Sequence, residues 1–144
     1  MSEELNKPHD HFFREIFSRP EVARDFLQNY LPPGVVELID IESLRPRKDS
    51  FVDIDLQDFY SDLLYEVKLK DRQDACIYTL FEHKSYLEPL ISFHLLRYMV
   101  RIWEQILKER KAKRKEEEAK RKKEKAKKKK NDRKQKLPVI IPIV

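Results

Sequence analysis

The sequence of 144 residues holds a single glycine, Gly34, and a single cysteine, Cys76. Glycine-rich loops that cradle phosphates, and the fingerprint of dinucleotide-binding folds, both need several glycines at fixed spacing. P-loop NTPases, the usual kinases and Rossmann dehydrogenases are therefore excluded. One cysteine cannot form a disulfide within the chain, which suits a reducing compartment. We expect Cys76 to be a small hydrophobic residue of the core.

Long apolar runs are absent as well. The longest run, 137–144, has eight residues, whereas a helix that crosses a membrane needs about 20. The N-terminus lacks the basic segment and following apolar stretch that mark a signal peptide. The sequence therefore predicts a cytoplasmic protein with no membrane partner.

Charged residues are abundant and unevenly distributed. Residues 1–107 contain 13 Lys/Arg and 20 Asp/Glu, a net charge of −7, whereas residues 108–144 contain 18 and 6, a net charge of +12. An acidic body disfavours broad electrostatic wrapping of nucleic acid by the body itself. Its carboxylates are nevertheless suited to holding a cation.

The charge pattern divides the chain into three segments. Residues 1–107 have the apolar content of a core, and residues 108–136 are almost entirely Lys, Arg, Glu and Ala. Glu–Lys pairs four residues apart favour helix without providing a packed face, so we expect a basic arm that is helical or disordered. Residues 137–144 are predicted to be an apolar strand that joins the core. An exposed strand edge promotes association, which makes a homo-oligomer an expectation.

The N-terminal third is predicted to be helical. Apolar residues at helical spacing indicate a helix over 8–17, and a second helix is expected to begin at Ser18. Ser18 and Glu21 have the spacing of a capping box, and 31–34 (LPPG) ends that helix. Residues 35–42 fit either a short helix or a strand.

A hairpin and a long helix follow. Alternating residues predict strands over 59–69 and 75–84, joined by a polar turn at 71–74. A long helix begins near Pro89, and its broad apolar face is predicted to bury Leu96. The expected fold is therefore α/β, with N-terminal helices, a small mixed sheet that contains the hairpin, and a long helix packed across it.

The hairpin brings together three residues with the chemistry of a metal-dependent hydrolase. Side chains two apart on a strand share a face, so Glu82 and Lys84 lie together. A hairpin centred on Arg72 pairs Asp62 with Glu82, and one centred on the next residue pairs Asp62 with Lys84. The carboxylates of Asp62 and Glu82, with the backbone carbonyl of His83, would offer hard oxygen ligands to Mg²⁺. Lys84 could orient a bound water and offset charge on phosphate.

A solvated sheet face is the alternative interpretation of these residues. The same face also carries Leu64, Tyr78 and Leu80, so the charges stand at one end of a mostly apolar surface. The residues alone leave both interpretations open.

Other polar residues near the N-terminus and in the long helix give weaker signals. His9 and His11 flank Asp10, but residues two apart on a helix diverge and would not share one ion. Asp10 is predicted to lie near the rim of the active site. Trp103 belongs to the apolar stripe of the long helix and is expected to pack in the core.

In combination, several segments resemble the Rpn family of recombination-promoting nucleases, also called YhgA-like transposases, within the PD-(D/E)XK superfamily. They are His9-Asp10-x-x-Phe13, ARDFLQNYLP (23–32), SFVDIDLQDFYSDLLYEV (50–67), YTLFEHKS (78–85), LLRYMVRIWE (95–104) and the final strand. The resemblance implies a restriction-endonuclease-like core and Mg²⁺-dependent cleavage of DNA. It also implies that Asp62 is the motif aspartate and that Glu82 and Lys84 form the Glu-x-Lys pair.

Two departures accompany the resemblance. The basic stretch 108–136 resembles an insertion in a connection that is usually shorter, and the chain is expected to stop where family members continue. The first hypothesis is thus a metal-dependent DNA endonuclease linked to recombination or mobile elements. The second is a catalytically inactive remnant that binds nucleic acid through the arm or binds a protein partner. The third is a protein-interaction module whose exposed strand pairs with a partner.

Overall fold

The chain folds into the predicted α/β architecture, with helices on both faces of one sheet. The computed structural model of the protein describes residues 8–83, 88–121 and 136–144. In chain order the elements are α1 (Pro8–Phe17), α2 (Pro20–Tyr30), α3 (Pro33–Val36), β1 (Ile39–Pro46), a 3-10 turn (Ile54–Leu56), β2 (Tyr60–Leu69), β3 (Asp74–Glu82), α4 (Ile91–Arg121) and β4 (Val139–Ile143).

Within residues 8–83, 88–121 and 136–144 the sheet has four strands, in the order β1-β2-β3-β4. β1 and β2 pair antiparallel, β2 and β3 form the predicted antiparallel hairpin, and β4 lies parallel to β3. A parallel neighbour needs a long crossover connection, and α4 lies within it. The expectation that the final strand joins the hairpin is therefore confirmed. The ambiguous segment 35–42 divides between α3 and β1.

The hairpin is covered on both faces, and this explains its high apolar content. On one face, Leu63 and Ile77 pack with Leu27 of α2 in a buried cluster. On the other face, Tyr78 packs with Tyr98 of α4. Burial of one large apolar side chain contributes roughly 1.5–3 kcal/mol, so both layers stabilise the sheet.

The second helix begins differently from its prediction. The N-cap of α2 is Arg19, and no side chain among the described residues caps the helix there. The Ser18 hydroxyl donates instead to the Arg14 carbonyl in α1. A serine in the last turn of a helix can bond the carbonyl four residues earlier, and this competes with the capping box.

The apolar face of α4 is narrower than predicted. Tyr98 and Ile102 are fully buried, and Trp103 is partly buried against the same cluster, with its indole N–H donating to the Pro138 carbonyl at 2.8 Å. Leu96 is 55% exposed, so its predicted burial is wrong. Successive residues of an α-helix are rotated by about 100° about the helix axis, so the side chain of Leu96 points roughly opposite to that of Tyr98.

The first part of the basic arm is a direct continuation of α4, which reaches Arg121 without a break. Its first turn contacts the body, because Arg47 donates to Glu109 at 2.6 Å and Arg110 donates to the Lys136 carbonyl at 2.9 Å. The rest of the predicted arm, 122–135, lies outside the described residues. Over the described ranges, no helix is long and apolar enough to cross a membrane.

Candidate active site

The hairpin register differs from both predicted registers. Asp62 pairs with Leu80, and Glu82 pairs with Tyr60. The predicted pairings of Asp62 with Glu82 or with Lys84 are therefore wrong. Because side chains alternate, Asp62 and Glu82 still belong to the same face, as diagonal neighbours. Such positions lie about 7–8 Å apart, within reach of long side chains.

A compact turn causes this change of register. Leu69 donates its N–H to the Gln73 carbonyl, which leaves three residues in the loop. The last of them, Arg72, has a φ of 73°. A three-residue loop that ends in a left-handed residue is a common hairpin connection, although glycine usually takes that position. The sequence shows a polar turn but no glycine to locate it.

Asp62 is buried and saturated with hydrogen bonds. Its exposed fraction is 1%. Oδ1 accepts from Arg14 Nη2 at 3.1 Å and from Ser50 Oγ at 2.6 Å, and Oδ2 accepts from the Phe51 N–H at 2.7 Å and from the Tyr78 hydroxyl at 2.6 Å. A carboxylate offers about four acceptor positions, and all are filled here. A buried charge is tolerated only with partners of this kind.

The Tyr78 hydroxyl is a permanent donor in this arrangement. Burial raises the pKa of Tyr78 far above its usual range, and the neighbouring carboxylate of Asp62 raises it further. The phenol therefore stays protonated at every physiological pH, and its hydrogen bond points towards Asp62.

Arg14 connects α1 to Asp62 in β2. Its Nη2 donates to the Asp62 carbonyl at 2.7 Å as well as to Oδ1, and its Nε lies 3.5 Å from Asp10 Oδ1. One guanidinium thus bridges two carboxylates. Arg14 is not among the site residues predicted from the sequence. Its only local signal is that it follows Asp10 by four residues, the spacing of an ion pair on one helix face.

An open depression of about 850 Å³ lies beside Asp62. Asp10, Arg14 and Glu15 line it from α1, and Gln57 lines it from the loop before β2. Asp10 and Asp62 line the same depression, and the predicted place of Asp10 at the rim of an active site stays a prediction. The side chain of His9 is outside the described residues. Asp62 is among the residues that line the depression, although only 1% of its surface is exposed.

The loop that holds Ser50 and Phe51 is itself fixed by charged contacts with α4. Arg97 and Arg101 contact Asp53 at 3.1 and 3.0 Å, and the Tyr98 hydroxyl donates to Asp53 at 3.0 Å. Burial alone would raise the pKa of Asp53, but hydrogen bonds from Arg97 and the other partners lower it below its usual value. Arg101 also donates to the Phe51 carbonyl at 2.9 Å. These contacts keep the donors of the loop aimed at Asp62.

His83 and Lys84 follow the last residue of β3. The His83 ring lies 2.6 Å from the Ser61 hydroxyl, on the face opposite Glu82, as the alternation predicts. Its backbone carbonyl remains the better ligand candidate. Lys84 lies outside the described residues, so its predicted place beside Glu82 stays a prediction.

The metal set predicted from the sequence also stays a prediction. Within the described ranges, no group of three or more His, Cys, Asp or Glu side chains is close enough to hold an ion. The predicted set has only two carboxylates, Asp62 and Glu82, and takes its third oxygen from the backbone of His83. Hard oxygen donors of this kind are those that Mg²⁺ prefers. Arg14 shows in addition that Asp62 is built to face a positive charge.

Comparison with known proteins places the chain in a family. A family model described as "Putative transposase, YhgA-like" matches residues 7–116. The chain is 35% identical over 106 residues to recombination-promoting nuclease RpnD of Escherichia coli O157:H7. It is 40% identical over 93 residues to recombination-promoting nuclease RpnA of Escherichia coli K12. These matches cover 74% and 65% of the chain. No solved structure gives a significant match.

The length of the relatives varies. The matched region spans 40% of RpnD and 32% of RpnA, so the chain corresponds to well under half of each. It spans 91% of YjiP of Escherichia coli K12, which is described as a "Putative inactive recombination-promoting nuclease-like protein". The identity is 38% over 95 residues, which cover 66% of this chain. With the family model over most of its length and these relatives, the chain belongs to the YhgA-like transposase family, which here includes the Rpn recombination-promoting nucleases.

Proposed function

We propose that this chain carries the core of a metal-dependent DNA endonuclease of the PD-(D/E)XK type, with Asp62, Glu82 and Lys84 as its catalytic residues. The observation that supports it best is the buried carboxylate of Asp62 beside an open depression, on the same sheet face as Glu82. Burying a carboxylate is costly, and a fold that needed only stability would be served as well by an apolar residue there. The relatives named as nucleases support the same class of activity.

The residues of the depression fit a divalent cation if Arg14 moves. Arg14 Nη2 lies 3.1 Å from Asp62 Oδ1, so the guanidinium neutralises the carboxylate as a bound metal ion would. Its Nε already lies 3.5 Å from Asp10, one helical turn away. Asp10 can therefore retain the guanidinium when Asp62 takes a metal ligand role. Arg14 would then remain in the depression as a positive group for a phosphate of the substrate.

The other residues have roles that follow from their positions. Asp62, Glu82 and the His83 carbonyl would hold Mg²⁺, which when bound polarises the scissile phosphate and lowers the pKa of a water molecule. Ser50 and Tyr78 keep the Asp62 carboxylate in one orientation. The ammonium group of Lys84 would orient the attacking water and offset the charge that builds on the phosphate. Phosphodiester hydrolysis is the reaction that this set of groups serves.

Contact with DNA is proposed to involve the exposed helix 108–121 in addition to the depression. This segment carries eight Lys/Arg and four Asp/Glu, a net charge of +4. Contacts of this kind neutralise phosphates without selecting a base sequence. DNA recombination or movement of a mobile element is the proposed context, in keeping with the names of the relatives.

A second candidate function is that of an inactive remnant that binds nucleic acid or a protein. The observation that favours it is the saturation of Asp62, since no acceptor position is left for a metal ion unless a protein donor leaves. Two of the similar proteins, YjiP and RpnE of Escherichia coli K12, are described as inactive.

Relaxation of supercoiled plasmid separates the two candidates. The endonuclease proposal expects nicking in Mg²⁺, loss of nicking in EDTA, and loss in Glu82→Gln and Lys84→Ala. Glu37→Gln, an exposed glutamate outside the depression, is the matched control and should nick as the wild type does. Absence of nicking with Mg²⁺ and with Mn²⁺, by protein that binds DNA in a gel-shift assay, would favour the remnant. Equal nicking by wild type and Glu82→Gln would contradict the assignment of the site.

A further inference from the structure

The outer side of α4 and its N-terminal turn carry a row of exposed apolar side chains that no other element of the described residues covers. The exposed fractions are 58% for Leu90, 54% for Phe93, 55% for Leu96, 43% for Val100 and 41% for Leu107. The opposite side of the same helix holds Tyr98 and Ile102, which are fully buried against the sheet. α4 is thus apolar on two faces, and the part of the chain that the structure describes covers one of them. We call the exposed row the outer stripe.

The spacing of the outer stripe indicates what can cover it. From Phe93 the apolar positions advance by three, then four, then seven residues. Trp103, which is partly buried, completes a pattern of alternating steps of three and four. This spacing is typical of coiled coils, in which the apolar side chains of one helix pack into the gaps between side chains of another. The distance from Phe93 to Leu107 is about 21 Å at 1.5 Å per residue, which is enough for several such layers.

We propose that the outer stripe packs against the same stripe of a second copy of this chain, with the two α4 helices antiparallel. Charge selects the orientation. Residues 108–121 have a net charge of +4, from eight Lys/Arg and four Asp/Glu, and a parallel pair would set two such segments side by side. An antiparallel pair separates them. It also places each basic segment beside the body of the other copy, where residues 1–107 have a net charge of −7.

A two-fold arrangement of this kind has a definite register. With the axis near Tyr98, Leu96 of one copy meets Val100 of the other, and Leu107 lies opposite Pro89 and next to Leu90. The same patch serves both copies, as in the commonest closed dimers. The basic segment of each copy then extends past the start of α4 in the other. Only a short connection separates that point from Glu82 at the end of β3. The dimer would therefore bring the basic segment of one copy towards the candidate site of the other.

Disulfide trapping tests the orientation. The native thiol of Cys76 is 3% exposed, and burial raises its pKa to about 11, so an introduced surface cysteine is the reactive one. A mixture of Leu90→Cys and Leu107→Cys chains should form a cross-linked dimer under mild oxidation, whereas Leu107→Cys alone should not. Ile54→Cys, at a side chain that is 82% exposed outside the stripe, is the control for random collision. Efficient cross-linking of Leu107→Cys with itself would overturn the antiparallel orientation.

Light scattering after size-exclusion chromatography tests the surface. The wild-type protein should be a dimer, with twice the 17.5 kDa mass of one chain. The double variant that carries both Leu96→Glu and Val100→Glu should be a monomer, with the helix content of the wild type by circular dichroism. Ile54→Glu should remain dimeric. A monomeric wild type at tens of micromolar would overturn the proposal. Dissociation by Val139→Glu but not by the α4 pair would overturn it as well, because the outer edge of β4 would then be the interface. None of these outcomes depends on nuclease activity.

Discussion

Removing the Asp62 side chain should destabilise the whole domain. In Asp62→Ala the carboxylate disappears, and four donors lose their acceptor: the guanidinium of Arg14, the hydroxyls of Ser50 and Tyr78, and the N–H of Phe51. Tyr78 is fully buried, so water replaces that partner poorly. The side chain of Arg14 is 21% exposed and can turn towards the depression.

The size of the effect follows from these hydrogen bonds. An unsatisfied buried donor costs about 1–3 kcal/mol, and removing one partner of a buried ion pair costs about 3–5 kcal/mol. The donors share one acceptor group, so their costs do not add in full. We expect Asp62→Ala to lose about 3–5 kcal/mol of the free energy of unfolding, a large share of the usual 5–15 kcal/mol. Asp62→Asn keeps the shape and one acceptor oxygen and should lose less.

Urea denaturation followed by circular dichroism measures this loss. The comparison is valid where the slope of free energy against urea is the same for wild type and variants. Tyr78→Phe, which removes a single hydrogen bond to the carboxylate, should lose about 1.5–3 kcal/mol and serves as the calibrating variant. If Asp62→Ala unfolds within about 0.5 kcal/mol of wild type, the range of an ordinary surface substitution, the hydrogen-bonded network around Asp62 is not present in solution.

Three further predictions concern other parts of the molecule. Burial raises the pKa of the Cys76 thiol from 9.0 to about 11. The contribution of the thiol to the free energy of unfolding should therefore be complete below about pH 9 and lost as the pH rises towards 11. Cys76→Ala should flatten the plot of this free energy against pH between 9 and 11, and an unchanged plot would contradict the burial of the thiol. Trp103→Phe leaves the Pro138 carbonyl without its indole donor and should lose about 1 kcal/mol in the same urea assay, whereas no loss would show that β4 is not held by this bond. Glutamine in place of the lysines of 108–121 should reduce the dependence of DNA binding on salt, by a slope of about 0.9 for each phosphate that is no longer neutralised, and an unchanged slope would assign the segment a role other than binding DNA.

The sequence predicts the elements of this fold well where a pattern is local. Alternation and helical spacing locate the hairpin, α1 and the inner face of α4, because each depends on neighbours within a few residues. The predicted hairpin register is wrong because the register depends on the left-handed conformation of Arg72, which no glycine signals. The exposure of Leu96 is not predicted because periodicity shows that a helix has an apolar side, but not how many sides this chain covers.

The sequence predicts the carboxylates of the candidate site but not the side chains that form hydrogen bonds with them. Asp62 and Glu82 share a face because of alternation alone, which survives a register shift of two residues. Arg14 reaches Asp62 from 48 residues away, and Tyr78 from 16. Such hydrogen bonds follow from how α1 and the strands pack, and no spacing within one element encodes them. The sequence therefore indicates the acidic groups and not the cation that neutralises them.

Calorimetric titration of Mn²⁺ is the most direct test of the central claim, that Asp62 and Glu82 hold a divalent cation for which Arg14 stands in. We expect wild type to bind one ion and Arg14→Gln to bind it more tightly, since its competing charge is gone. Asp62→Asn should bind none, while Arg19→Gln, an exposed arginine outside the depression, should match wild type. The absence of binding by both wild type and Arg14→Gln, or equal affinities in wild type and Asp62→Asn, would contradict the account.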